Sequence, residues 1–271
     1  VRELSVPSNS VNAPQKNTAD FVFDNAAQRP QHVALRRRSD AGWEDVTSVA
    51  FADEVSDLAK GLVASGIESG DRVGVMSKTR YEWTVADLAL MTIGAVAVPI
   101  YETSSAEQVE WILTDSGAKA VFVETAEHEQ IVDSVRERIP NLAAVWRFEG
   151  DALDNLVKAG VDVSATTILD RRTAVGRDDL ASIIYTSGTT GRPKGCQLTH
   201  GNFISEVVEL QDALSTFFND TTSTLLFLPI AHVFGRAIEI GTLANGCTLG
   251  HTGDVKNLIP DLAEFKPTFV L

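Results

Sequence analysis

A chain of 271 residues, 44% hydrophobic and 22% charged, carries enough apolar surface to close one large or two smaller cores. Its formal net charge of -14 excludes a general nucleic-acid binder, which would present a basic face to the phosphate backbone. Two cysteines, Cys196 and Cys247, are too few for a disulfide framework and lie outside any metal-ligand spacing, so both read as small buried residues in a reducing compartment.

Residues 1–17 are polar and read as an arm, without the apolar stretch of a secretory leader. Thr18 is placed to cap a helix reaching Gln28, closed by Arg29-Pro30. Extended runs from His32 to Arg38 and from Trp43 to Thr47 flank Ser39-Asp-Ala-Gly42 and predict a hairpin. The run Arg36-Arg37-Arg38 reads as a solvated strand edge rather than an anion patch.

From Ser48 the apolar residues Phe51, Val55, Leu58, Leu62 and Val63 recur at helical spacing, and Gly66 ends the helix. An alternation follows: strand Arg72 to Met76, helix Arg80 to Ile93, strand Ala95 to Ile100, helix Ala106 to Asp115, strand Lys119 to Glu124 and helix Ala126 to Arg138. Ser104 and Glu107 offer a capping box for the helix Ala106 to Asp115. Apolar strands alternating with helices predict a mostly parallel sheet covered on both faces. The longest apolar run, Val85 to Tyr101, is interrupted by Asp87, Gly94 and Pro99; it falls short of a span of about 20 residues, so a soluble protein is expected.

Leu142 to Phe148 adds a strand and Leu153 to Val157 a short helix, whereas 161–179 shows little period. Past residue 200, Asn202 is placed to cap a helix from Phe203 to about Phe217. Strand Thr224 to Leu228, an apolar helix through Leu243, strand Cys247 to Gly250 and a helix near Asn257 to Phe265 extend the alternation. Thr268 to Leu271 reads as one more strand, and a chain stopping there is expected to be part of a longer protein.

Between strand Ala181 to Tyr185 and strand Cys196 to Thr199 lies Thr186-Ser-Gly-Thr-Thr-Gly-Arg-Pro-Lys-Gly195. Gly188 and Gly191 let successive backbone N–H groups point into one concavity. Thr186, Ser187, Thr189 and Thr190 add hydroxyl donors, and Lys194 and Arg192 add positive charge, a combination suited to a polyphosphate. An ordinary hairpin needs only two to five loop residues. A Walker A loop is disfavoured, because Pro193 precedes the lysine and Gly195 follows it.

Tyr185 to Gly195 resembles the phosphate-binding signature of the adenylate-forming superfamily. Ser77-Lys-Thr-Arg-Tyr-Glu-Trp83, Gly94-Ala-Val-Ala-Val-Pro-Ile-Tyr101 with Thr103-Ser-Ser105, and Leu228-Pro-Ile-Ala-His-Val-Phe-Gly-Arg236 are similar to long-chain fatty-acyl-CoA synthetases. The resemblance runs from about Thr18 to the end and covers about half of a family member. It implies layered, mostly parallel α/β sheets with flanking helices, truncated, in two lobes: residues 18–180 with the N-terminal hairpin, then 181–271 with the phosphate loop, the C-terminal domain being absent.

By resemblance, the family joins a fatty acid to AMP with Mg-ATP, releasing pyrophosphate, and then makes the coenzyme A thioester. Ser187, Thr189, Thr190, Lys194 and the N–H groups of Gly188 and Gly191 would grip the phosphates. Thr186 would contact the magnesium-bearing phosphate end. A lone histidine in an apolar segment is ordinarily a hydrogen-bonded core residue, but the motif puts His232 beside the acyl carboxylate. Ile230, Val233 and Phe234 could line an acyl tunnel or be plain core.

Gly235 departs from the Glu of many long-chain relatives and leaves Arg236 without that ion-pair neighbour. His200 reads as part of a turn with no catalytic role. A cytoplasmic location is expected, and the resemblance is compatible with peripheral membrane association and with a homodimer. The alternatives are a non-catalytic nucleotide- or acyl-binding module and an adenylating enzyme for another acid. The 271 residues alone, without the family's distal motifs, are expected to bind nucleotide weakly and not to adenylate.

Overall fold

The structure, a computed structural model, describes residues 16–186 and 192–271. Helix α1 (Asp20–Gln28) leads into the antiparallel hairpin of β1 (Val33–Ser39) and β2 (Gly42–Thr47), whose turn places Gly42 at φ 119°. Then α2 (Ser48–Ala64), β3 (Arg72–Met76), α3 (Tyr81–Thr92), β4 (Val96–Ile100), α4 (Ala106–Ser116), β5 (Ala120–Val123), α5 (Ala126–Val135) and β6 (Ala144–Arg147) alternate. Two outer helices, α6 (Ala152–Ala159) and α7 (Ala165–Ala174), precede a second hairpin, β7 (Leu180–Thr186) and β8 (Lys194–Thr199). The order closes with α8 (His200–Leu214), β9 (Ser223–Leu226), α9 (Val233–Ala244), β10 (Thr248–His251) and α10 (Leu258–Phe265).

Two mostly parallel sheets result, as the alternation predicts. One has the order β6-β5-β3-β4-β7-β8, parallel except for β7–β8; the other has the order β2-β1-β10-β9, parallel except for β1–β2. Helix α3 is buried almost all round because it lies among elements of both sheets: it packs on α2 and β4, while Thr84 and Asp87 reach α9. Strands from before and after residue 180 share each sheet, since β7 and β8 join β3–β6 and the first hairpin joins β9 and β10. The expected boundary between residues 180 and 181 therefore separates no pair of sheets.

Several local expectations are corrected. Thr18 does not cap α1; its N–H donates to His200 Nδ1 at 3.2 Å and its hydroxyl lies 3.0 Å from the same atom, tying the chain's first helix to α8. The capping box of α4 is Ser105 with Gln108, one residue later than expected, because two adjacent serines each have a Glu or Gln three positions on. Thr199 caps α8, and Asn202 is its reciprocal partner. Helix α7 escaped the periodicity because Ile168 is its one buried residue; Ser164 caps it.

The run Arg36–Arg38 is only partly at an edge: β10 pairs with β1 at Leu35 and Arg36, while Arg37 and Arg38 lie past that pairing and are exposed. Its charges are tolerated there because Asp45, Glu44 with Glu54, and Glu264 pair with them in turn. Cys196 is exposed on β8, while Cys247 is buried as expected. Thr268 to Leu271 forms no ladder: the N–H groups of Thr268 and Phe269 reach the Ser223 carbonyl, and that of Thr268 also the Ser223 hydroxyl.

Candidate active site

Strand β7 is buried from Ala181 to Tyr185 and emerges at Thr186, which is exposed and pairs in register with exposed Lys194 of β8. Ser187, Gly188, Thr189, Thr190 and Gly191, which complete the predicted phosphate loop, lie outside the described residues. Both limbs at its base are held by α4. Tyr185 donates its phenol proton to Asp115 Oδ2 at 2.7 Å, and burial together with that carboxylate pushes the phenol pKa well up. Trp111 Nε1 donates to the Pro193 carbonyl at 2.9 Å, and the Arg192 guanidinium lies over the Trp111 ring, 4.7 Å from its centroid.

The parallel register Ala97↔Ser182 places Tyr101, just past β4, level with Thr186 at the end of β7. This is the carboxyl end of a parallel sheet, where ligands of α/β folds bind. Tyr101 also lines a hollow of about 280 Å³ with Leu228, Pro229, His232, Phe234 and Gly235. The register thus brings the base of the phosphate loop and the His232 hollow to the same end of neighbouring strands.

His232 is exposed and caps α9, its Nδ1 accepting from the Phe234 N–H at 3.2 Å. Phe234 and Val233 are exposed, whereas Ile230 is buried. Phe234 further borders a second hollow of about 300 Å³ with Leu198, Phe203, Val233 and Ala237, lined mainly by apolar atoms.

Three contacts that sequence reasoning missed fix this wall. Thr79 Oγ1 donates to the Leu228 carbonyl at 2.7 Å and accepts from the Ile230 N–H at 3.2 Å, joining the segment after β3 to the segment after β9. The only sequence hint was that both segments carry the family resemblance. Gly235 is required sterically: a Cβ there would sit 2.3 Å from the Pro229 carbonyl oxygen. Arg236 does have an ion-pair partner, Asp87 of α3, with both groups fully shielded from solvent and Arg236 Nη2 2.7 and 2.8 Å from the two carboxylate oxygens. Asp87 as the one charge in the apolar run from Val85 to Tyr101 was its signal.

Behind Arg236 a buried polar chain continues. Arg236 Nη1 donates to Ser182 Oγ at 3.0 Å, and Ser182 Oγ donates to the Ala97 carbonyl at 2.9 Å. Glu239 is pushed up to about 8 by burial first and by the Asp87 charge second, and its Oε1 lies 2.5 Å from Thr84 Oγ1. Thr84 Oγ1 is in turn 2.9 Å from His251 Nε2, in an imidazole that burial lowers to about 4. His200, likewise lowered to about 4 by burial, is a buried structural residue and not a turn.

The family profile of AMP-binding enzymes matches residues 22–271. The chain is 43% identical over 274 aligned positions to the long-chain-fatty-acid--CoA ligase FadD15 of Mycobacterium bovis, covering all of this chain and 46% of that protein. It is 27% identical to human long-chain-fatty-acid--CoA ligase 1 over 86% of this chain and 36% of that one. Among solved structures, the N-terminal domain of FACL13 from Mycobacterium tuberculosis superposes with a TM-score of 0.80 at 26% identity, over 94% of this chain and 62% of that one. The anthranilate CoA ligase AuaEII, solved with anthranoyl-AMP, shares the fold at a TM-score of 0.82 and 21% identity, over 97% of this chain and 50% of that one. The chain spans a little under half the length of the FadD15 relative. With a mostly parallel two-sheet fold, a hydroxyl- and lysine-bearing hairpin at a sheet's carboxyl end and a family match over nearly its whole length, the chain belongs to the AMP-binding enzyme family.

Proposed function

We propose that the chain is the N-terminal portion of a long-chain fatty acid:CoA ligase, which activates the acid with Mg-ATP to acyl-adenylate and passes the acyl group to coenzyme A. The observation that carries this reading is geometric: the Thr186–Lys194 base of the loop and the His232 hollow share one end of adjoining strands. The similarity to FadD15 over the whole chain supports the choice of substrate class.

In this reading Lys194, with Ser187, Gly188, Thr189, Thr190 and Gly191, neutralises and orients the β- and γ-phosphates so that the α-phosphorus faces the acid. The exposed Thr186 hydroxyl fits a contact with magnesium carried on those phosphates. Among the described residues no group of three His, Cys, Asp or Glu could hold a metal by itself. Magnesium supplies charge neutralisation on the leaving pyrophosphate. His232, anchored through Nδ1 to its own helix, presents its ring to the carboxylate, and the apolar hollow beside Phe234 receives part of the alkyl chain.

No helix among the described residues is long and apolar enough to cross a membrane. The two free thiols fit the reducing cytoplasm, which is the proposed location. The 271 residues alone are proposed to bind nucleotide weakly and not to adenylate.

A chimera tests the assignment. With this chain substituted for the matching part of Mycobacterium bovis FadD15, a folded product should release pyrophosphate from ATP in the presence of a long-chain fatty acid. A folded chimera that turns over ATP with no dependence on the acid contradicts it.

A further inference from the structure

Helix α4 touches both limbs of the β7–β8 hairpin with two side chains of one stripe. Trp111 and Asp115 are four residues apart, so they stand one above the other on the same helix face. Asp115 accepts the hydrogen bond of the hydroxyl of Tyr185, the residue before Thr186; Trp111 donates to the carbonyl of Pro193, the residue before Lys194. The two registered residues at the mouth of the loop are thus each preceded by a residue fastened to α4.

The sequence is adapted to this grip on the hairpin side as well. Gly195 is paired across the hairpin with Tyr185, and a Cβ there would lie 3.1 Å from Tyr185 Cζ and 2.8 Å from Ile183 Cγ2. Without a side chain at 195, the Tyr185 ring can lie across β8. Arg192, a cation of the loop motif, is stacked on Trp111 while still exposed, and Lys194 beside it is exposed as well. The helix itself is firmly set, with the Ser105–Gln108 capping box at its start and Val109, Ile112 and Leu113 in the core.

We infer that Trp111 and Asp115 are positioning residues that hold both limbs of the hairpin and so preset Thr186 and Lys194 for a nucleotide's phosphates. The inference rests on reading the hairpin as the phosphate site. Its physical basis is preorganisation: side chains already held in place lose less conformational freedom when a ligand binds.

The test is MgATP affinity of the 271-residue chain by titration calorimetry, with thermal melting and tryptophan emission on the same samples. Trp111→Phe keeps the aromatic ring and removes the N–H; Trp111→Leu removes both; Tyr185→Phe releases the other limb; Lys194→Met serves as the control on the phosphate reading. The expected losses are about threefold for Trp111→Phe and Tyr185→Phe and about tenfold for Trp111→Leu and Lys194→Met, the scale of one neutral and one stronger contact. The melting point of Trp111→Phe should stay close to wild type, and the emission change on adding MgATP should vanish with the indole.

If Lys194→Met weakens binding while the Trp111 and Tyr185 variants bind as wild type, the positioning role is overturned and the phosphate site stands. A lowered melting point with unchanged affinity also overturns it, because α4 would then serve stability alone. If wild type and Lys194→Met respond alike to MgATP, the phosphate reading fails and the inference falls with it.

Discussion

Asp87 and Arg236, separated by 149 positions in the chain, form a carboxylate–guanidinium pair with no solvent exposure on either side chain. The pair links α3 to the start of α9, four residues beyond His232, and the Arg236 guanidinium also lies 5.3 Å from the Trp83 ring centroid and 5.2 Å from that of Phe203. Removing one partner leaves a buried charge without its counterpart, which typically costs about 3–5 kcal/mol. Arg236→Met and Asp87→Leu should each lower unfolding free energy by that order in urea titrations. The double variant should recover most of the loss; equal, additive losses would show that the charges do not depend on each other.

Thr79 should matter through its hydroxyl and not its bulk. Thr79→Val removes a donor to Leu228 and an acceptor from Ile230, which leaves two backbone groups unpaired at about 1–3 kcal/mol. Thr79→Ser should retain stability within about 1 kcal/mol. Denaturant midpoints of the two variants decide this, and a Val variant as stable as the Ser variant would remove Thr79 from the account.

Gly235 sits where the fold leaves no room for a side chain. The Pro229 carbonyl occupies the space of any Cβ, and backbone cannot yield as a side-chain tip can. Gly235→Ala is expected to destabilise by about 1–3 kcal/mol through overpacking, and Gly235→Glu by no less. Melting curves of both variants, with far-ultraviolet dichroism to confirm folding, measure it; an unchanged Gly235→Ala variant contradicts the packing seen here.

The β3–α3–β4 alternation, both hairpins, and the order of strands and helices around the loop were legible because apolar runs and their punctuation are local properties of sequence. Caps were legible unevenly: Ser104 stood one residue from the cap Ser105 and Asn202 three from the cap Thr199, while Thr18 does not cap α1. Helix α7 was missed because it buries little more than Ile168. The division of strands between sheets was not legible at all: that the hairpin 33–47 joins β10 depends on pairing across some 200 residues. At the site, Thr186 and Lys194 came from composition and resemblance. Trp111, Asp115 and Thr79 act through contacts with Pro193, Tyr185 and Leu228 that no spacing rule encodes.

Acid sensitivity follows from the buried imidazoles. His200 and His251 are held near 4, against an ordinary 6.5, by burial. The unfolded chain therefore takes up protons first, and the stability these groups contribute is complete above pH 6.5 and lost as pH falls from 6.5 toward 4. Glu239, raised from 4.5 to about 8, has the opposite sign: its contribution is complete below 4.5 and is lost as pH rises through 8. These three groups together place maximal stability near pH 6.5. Urea unfolding at pH 5 and pH 7 should show wild type weakened at pH 5. In His200→Asn, whose amide oxygen can still accept from Thr18, the loss from His251 alone is offset by the opposite contribution of Glu239, so little or no weakening at pH 5 is expected. An identical acid loss in both proteins would assign the effect elsewhere.

The central claim is that the hairpin closing on Thr186 and Lys194 takes the phosphates of a nucleotide. The most direct measurement is the affinity of the chain for magnesium pyrophosphate, compared among wild type, Lys194→Met and Lys256→Met, the last removing an exposed lysine from the turn before α10. Binding should be saturable, weakened about tenfold or more by Lys194→Met and left unchanged by Lys256→Met. Equal affinity in all three proteins would contradict the claim.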